Sequence, residues 1–295
     1  MIAILGAGSL GRLWAASLPA GRAAFVPRPG APSDSIPYQF HSVSGEAYPV
    51  DIPQLGSDGT PELLLVTTKA GDTLDALHTT LPDMPANTPI VLFQNGLGSQ
   101  QQVADTWPER PILAASTTEG ANRPSPDRTV HAGKGETWVG PLTRTAESRL
   151  DSVVGQLTES GLTVHAETDI LPRLWQKLVI NAGINPFTAL LDCPNGEILE
   201  APLFRQWITP LSEEVASLMA GAGQGLVAPE QLRSNIETVA RNTARNTSSM
   251  RADMLAGRPT EIDYINGYLA ALGKTLDIAT PVNQMLTKRV KQLSD

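Results

Sequence analysis

Cysteine is almost missing from this chain. Cys193 stands alone, which excludes an intramolecular disulfide and a thiolate zinc site and fits a reducing compartment. Positive charge is in deficit too: 22 Lys and Arg against 30 Asp and Glu leave a net charge of −8. That balance argues against non-specific binding to nucleic acid or to an anionic membrane. Any anion bound here must be captured by local groups. Long apolar runs are absent as well. The best uncharged helical stretch, Leu178–Leu191, contains two Asn and a Pro, and it falls short of the roughly 18 apolar residues of a membrane span. Gly6, Gly8 and Gly11 interrupt the start at once, so no basic leader with an apolar run is expected. The chain reads as a soluble, cytoplasmic protein with a small-molecule partner and no nucleic acid or membrane, as a monomer or homodimer. Nothing in it calls for a metal.

What is present is a two-part pattern. At roughly 150 residues per domain, 295 residues predict two domains. Short apolar runs at Ile2–Leu5, Ala23–Val26, Leu63–Val66, Ile90–Phe93 and Ile112–Ala115 look like buried parallel strands, and Thr137–Val139 and Leu162–His165 follow. From about Asp169 the pattern turns long-period and helical, with turns at Cys193–Gly196 and Gly257–Pro259. An α/β domain over residues 1–167 and an all-helical domain over 168–295 are expected.

Gly6-Ala7-Gly8-Ser9-Leu10-Gly11 fits G-x-G-x-x-G between a strand and an amphipathic helix. The first Gly permits a tight turn and the second lets backbone approach a pyrophosphate. The third allows close strand–helix packing, and the helix N-terminus offers free N–H groups to the anion. The same residues resemble a degenerate nucleophile elbow with Ser9 as a hydrolase nucleophile. An elbow needs preceding strands, however, and five residues precede this one. About 20 residues further on, an NAD site places an acid and an NADP site an Arg. Here the first acid of the chain is Asp34, whereas Arg28 ends the second strand. Arg28 therefore points to a 2′-phosphate and to NADPH, although a lone Arg is otherwise a solvated surface residue. Lys69 and Asn95 close two other strand runs and are expected to face the nicotinamide half.

Hydride transfer to a ketone needs a proton donor. All four His precede the helical part, so a helical-domain acid must be something else. Lys177 lies among Leu174, Trp175, Leu178, Val179 and Ile180, and apolar surroundings should lower its pKa. Lys177, Asn181 and Asn185, spaced i, i+4 and i+8, share one helical stripe, and Pro186 should end or kink that helix. The bland alternative is a solvated helix face. A second polar cluster contains Asn246, Ser249 and Asp253. Beyond it, Thr260 and Asp263 form a capping-box-like start that would put Glu261 in the first turn of the last long helix.

These residues carry a resemblance to the ketopantoate reductase (2-dehydropantoate 2-reductase) family over nearly the whole chain. Matching stretches are Gly6–Trp14, Lys69-Ala70, Asn95–Gly98, Trp175–Lys177 through Asn185–Ala189, Cys193–Glu197, Asn246–Met250 and Thr260–Gly267. The resemblance implies a Rossmann-type doubly wound sheet and a helical domain like that of 6-phosphogluconate dehydrogenase, with the site in the cleft. It implies NADPH-dependent reduction of 2-dehydropantoate to (R)-pantoate on the way to coenzyme A. By that likeness Lys177 is the general acid and Glu261 organises the site near it and the cofactor. Asn181, Asn185 and Ser249 would hold substrate, with Asn195 and Asn246 close by, while Asn95 and Lys69 would contact cofactor and substrate. One departure is Glu119 in Ser116-Thr117-Thr118-Glu119-Gly120, where family members often carry His. The competing readings are a reductase of another small branched 2-oxo acid and a non-catalytic NADPH sensor.

Overall fold

The computed structural model describes residues 1–28, 30, 35–56 and 59–294, so Asp34 lies outside the described residues. Two compact units emerge: residues 1–94 with 99–173, and residues 95–98 with 174–295. Relative to the expected boundary at residue 167, the main division falls between Arg173 and Leu174, and the short segment 95–98 groups with the second unit.

The first unit begins β1 (Ile2–Leu5), α1 (Ser9–Ser17), β2 (Ala23–Phe25), β3 (Ser35–His41), β4 (Ala47–Pro53), β5 (Leu63–Val66) and α2 (Ala70–Thr80). It continues with β6 (Ile90–Leu92), α3 (Ser99–Thr106), β7 (Ile112–Thr117), β8 (Gly120–Ser125), β9 (Arg128–Gly133) and β10 (Glu136–Pro141). The last elements are α4 (Arg144–Glu147), α5 (Leu150–Thr158) and β11 (Thr163–Ala166). A seven-stranded sheet runs in the order β11–β10–β7–β6–β5–β1–β2. From β7 to β2 every pairing is parallel, whereas β10 is antiparallel to β7. All residues of β1, β2, β5, β6 and β7 are buried, as strands covered on both faces must be. The chain leaves β1 toward β2 on one side, while β5 lies on the other. The carboxyl end of β1 is thus a topological switch point, where open α/β sheets bind ligands.

A second sheet, β4–β3–β9–β8, was not expected from the apolar pattern. Pro37, Pro49, Pro53 and Pro124 sit within its strands, and β4 is largely exposed; prolines and weak alternation mask strands in a sequence. This sheet covers α1. Tyr38 donates its hydroxyl to the Arg12 carbonyl at 2.7 Å, and Arg12 Nη1 donates to the Pro126 carbonyl at 2.6 Å. The Arg12 guanidinium lies 4.9 Å from the Tyr38 ring centroid. These contacts offset part of the cost of burying the Arg12 guanidinium, whose Nε has no hydrogen-bond partner among the described residues.

The second unit is built on α6 (Leu171–Leu191), whose first turn belongs to the first unit, followed by α7 (Pro202–Gly221), α8 (Pro229–Asn242), α9 (Ser249–Leu255), α10 (Asn266–Leu276) and α11 (Pro281–Ser294). Of the two expectations for Pro186, to end or to kink the helix, the first is corrected: α6 runs on to Leu191. Proline removes the N–H that would bond the carbonyl four residues earlier, here that of Ala182. Asn266 Nδ2 supplies a donor to that carbonyl at 3.3 Å and another to Asn283 Oδ1 at 3.1 Å. Asn283 in turn donates its side-chain amide to Glu214 Oε2 at 2.7 Å, and Glu214 accepts the Val282 and Asn283 N–H groups at the start of α11. Burial raises the Glu214 pKa above the usual carboxylate value, against these hydrogen bonds. Three helices, α7, α10 and α11, are therefore tied to α6, the catalytic-helix candidate, through one buried relay.

Candidate active site

The glycine turn is shaped by backbone. Gly6 has φ +109°, and a Cβ there would lie 2.9 Å from the Thr68 nitrogen. A Cβ on Gly11 would collide with the Gly6 carbonyl and sit 2.6 Å from Thr67 Oγ1. Thr67, a residue sequence reading passed over, donates to the Gly6 carbonyl at 2.7 Å and holds the turn closed. Gly8 differs from both. It is the N-cap of α1, and a Cβ added there would meet no atom of the described residues within 4 Å. The space beside its backbone is one a side chain would fill and a pyrophosphate fits. Among the described residues, no acid lies in the first turn of α1 and no side chain caps it, which suits the positive end of the helix dipole to an anion. Ala7, Ser9 and Leu10 are half-buried along the turn. Arg28 is exposed three residues beyond β2. Lys69 is half-buried at the N-cap of α2, its carbonyl accepting from Thr73 Oγ1 at 2.9 Å. Gln94, also unanticipated, is buried and donates to the Val66 and Thr68 carbonyls at 3.0 and 3.2 Å, bracing the carboxyl end of β5.

The side-chain cluster lies in the second unit. Glu261 does not open a long helix, which corrects the capping-box expectation. It is the N-cap of a single 3-10 turn, Ile262–Tyr264, with no side-chain cap, and α10 starts only at Asn266. The backbone at Ile265 (φ −108°, ψ −94°) lies far from helical and separates the two. Freed from capping, the buried Glu261 carboxylate accepts from Asn95 Nδ2 at 3.0 Å. The Asn95–Gly98 segment is locked in place because the Leu97 N–H bonds the Tyr264 carbonyl at 2.8 Å. Gly96, at φ +81°, leaves no room for a Cβ against that same carbonyl.

Lys177 sits on α6, partly covered. Burial lowers its pKa from 10.5 to about 8, and the Glu261 carboxylate acts in the opposite sense, holding the proton on. Trp175, two residues earlier, is buried with its ring edge-on to Tyr268 at 6.3 Å, which pins this part of α6 to α10. Asn181 is half-buried and Asn185 buried on the same stripe. Thr188 then donates to the Asn185 carbonyl at 2.8 Å and meets Ser248 Oγ at 2.7 Å. Ser248 caps α9 by accepting the Arg251 N–H, and Ser249, exposed, is the first residue of that helix. Asn195 spends its side-chain amide on Thr243 Oγ1 at 3.0 Å and its backbone N–H on the Asn246 carbonyl at 3.0 Å. Asn246 is exposed. Glu261 and Asn95 are thus joined directly and Lys177 lies within electrostatic reach of that carboxylate, Asn181 and Asn185 extend the stripe, and Asn195 clasps the segment between α8 and α9. Glu119 pairs with His131 Nε2 at 2.6 Å, both side chains nearly buried, which locates the acid that departs from the family pattern.

A glycine turn at the carboxyl end of a parallel sheet, joined in one chain to a helical unit that bears Lys177, Glu261 and Asn95, is the build of a Rossmann-type dehydrogenase. More narrowly, the chain belongs to the ketopantoate reductase family. The description "Ketopantoate reductase PanE/ApbA" matches residues 2–144, and its C-terminal counterpart matches residues 169–294. A 2-dehydropantoate 2-reductase of Vibrio cholerae is 33% identical over 99% of this chain and 97% of its own length. The solved 2-dehydropantoate 2-reductase of Geobacter metallireducens has a TM-score of 0.84 at 26% identity, covering 99% of each chain. A D-mandelate dehydrogenase solved with NADH and anilino(oxo)acetate has a TM-score of 0.87 at 21% identity, over 100% of this chain and 98% of that one, a likeness of fold alone. Ketopantoate reductases use NADPH. No helix among the described residues is long and apolar enough to cross a membrane.

Proposed function

We propose that this chain reduces 2-dehydropantoate to (R)-pantoate with NADPH in the cytoplasm, a step towards pantothenate and coenzyme A. The observation that carries the reading is Lys177, an ammonium with its pKa near 8 beside Glu261, which also anchors Asn95. Bound NADPH supplies the hydride. Reduction of the ketone places charge on its oxygen, and the Lys177 ammonium neutralises that oxygen by giving up its proton. A donor works best when its pKa lies near the working pH, and desolvation brings Lys177 there from the ordinary lysine range. Glu261 keeps the ammonium charged until the proton is needed and holds Asn95 toward cofactor and substrate. Asn181, Asn185 and Ser249 hydrogen-bond the substrate hydroxyl and carboxylate, with Asn195 and Asn246 shaping the loops beside them. Gly6–Gly11 take the pyrophosphate, Arg28 the 2′-phosphate, and Lys69 the nicotinamide half.

The test is NADPH consumption at 340 nm with ketopantoate, run beside 2-oxoisovalerate, which lacks the hydroxyl. A site built to bond that hydroxyl should reject the analogue strongly. Equal kcat/KM for both would make another branched 2-oxo acid the substrate. Tight NADPH binding without turnover of any 2-oxo acid would favour a sensor.

A further inference from the structure

The glycine turn is approached by a cation that none of the family motifs above includes. Arg123 Nη1 donates to the carbonyl of Ala7, the residue between Gly6 and Gly8, at 3.2 Å. Nothing local in the sequence connects the two: they are 116 residues apart. The reach depends on an irregular strand. β8 pairs with β9 in broken register, the ladder shifting between Asn122 and Ser125, and Pro124 beside Arg123 has no N–H to give to a ladder. Such an irregularity re-aims a side chain out of the sheet. Arg12, one turn into α1, is close enough to feel Arg123 as a like charge, while Asp127 offsets part of that repulsion. The Arg123 guanidinium is therefore kept at the glycine turn that leads into α1, whose first turn contains no acid.

We propose that Arg123 is a phosphate-binding residue for the dinucleotide, its guanidinium holding the Ala7 carbonyl and the pyrophosphate together from the side opposite the α1 N–H groups. The inference rests on the reading of Gly6–Gly11 as the dinucleotide site. A planar guanidinium has five N–H donors in a fixed fork, so one group can serve a backbone carbonyl and a phosphate at once. The pyrophosphate is common to NADPH and NADH, whereas the 2′-phosphate assigned to Arg28 belongs to NADPH only. The two arginines therefore leave different signatures.

The experiment is fluorescence titration of the full chain with NADPH and with NADH, for wild type, Arg123→Gln, Arg123→Ala and Arg123→Lys, with Tm measured on each. Gln retains a donor for the Ala7 carbonyl without the charge. Loss of a charge-assisted phosphate bond should weaken both dinucleotides by about 10- to 100-fold in the Gln and Ala variants, with Lys in between. The dependence of affinity on salt should flatten at the same time. Wild-type affinity in Arg123→Gln would reduce Arg123 to an anchor for the turn and overturn the proposal. A loss confined to NADPH would overturn it too, by moving the contact to the 2′-phosphate. Should Arg123→Ala fail to fold, the Gln and Lys variants decide alone. A wild-type chain that binds neither dinucleotide would refute the reading of the turn itself, a failure distinct from normal binding that Arg123 does not influence.

Discussion

The glycine turn and the lysine cluster solve opposite problems. The turn is made of backbone: Gly6 and Gly11 are excluded from carrying side chains by contact, while a Cβ on Gly8 would meet no atom of the described residues within 4 Å. Its residues are neighbours in sequence. The cluster is made of side chains from residues 95, 177 and 261, brought together by a loop, a long helix and a 3-10 turn. A backbone site tolerates no added atoms but is indifferent to side-chain chemistry. A side-chain site depends on one ionisable group and on the burial that tunes it.

Substitutions should separate the two accordingly. The largest effect is expected at Lys177. Lys177→Met should lower kcat by about 10²–10⁴, the scale of a lost general acid, while NADPH affinity stays within a few-fold. Stability should move the other way. A lysine whose folded pKa lies below its unfolded value is penalised while charged, and that penalty fades as pH rises from about 8 toward 10.5. At pH 7 the Met variant should therefore melt no lower than wild type, as calorimetry would show. A drop in both activity and Tm would make Lys177 a structural residue. Gly8→Val is the mirror image: its side chain fills the cradle, so NADPH affinity should fall at least about 100-fold with little change in Tm. Titration with NADPH checks it, and intact binding would empty the turn of its role.

Arg28→Ala comes next, with KM for NADPH rising about 10- to 100-fold and NADH use nearly unchanged, as expected for one lost charge-assisted phosphate bond. Equal loss for both cofactors would remove Arg28 from the 2′-phosphate. The smallest effect belongs to Asn266→Leu. It strips the donor from the Ala182 carbonyl that Pro186 left without its helical partner, at a cost of about 1–3 kcal/mol in stability. Denaturant unfolding reads this directly, and Pro186→Ala in the same background should recover part of it.

The same contrast explains what could be read without coordinates. The seven strands of the main sheet coincide with the seven apolar runs because buried strands announce themselves by composition. The small sheet stayed hidden behind its prolines and its half-exposed faces. Within the candidate site, the placing of Lys177, Asn181 and Asn185 on one helix was legible from their spacing, and the glycine turn from its motif. Asn95 was legible as a strand-end residue, but its bond to Glu261 spans 166 positions and has no local signature. The start of a helix at Glu261 was misread because a capping pattern says nothing of the backbone break at Ile265. Pro186, expected to end or kink its helix, does not end it, because Asn266 offers the Ala182 carbonyl a donor from another helix. Thr67, Gln94 and Arg123 act by bonding carbonyls of distant turns, contacts that exist only once the sheets are assembled.

The central claim is that Lys177 delivers the proton and that Glu261 keeps it charged. The pH dependence of kcat for ketopantoate reduction, compared between wild type and Glu261→Gln, tests it most directly. Wild-type kcat should decline above about pH 8 as the ammonium deprotonates, and the decline should begin at lower pH in the variant, where the carboxylate no longer supports the charge. A wild-type profile flat to pH 10, or a limb that Glu261→Gln leaves in place, would contradict the account.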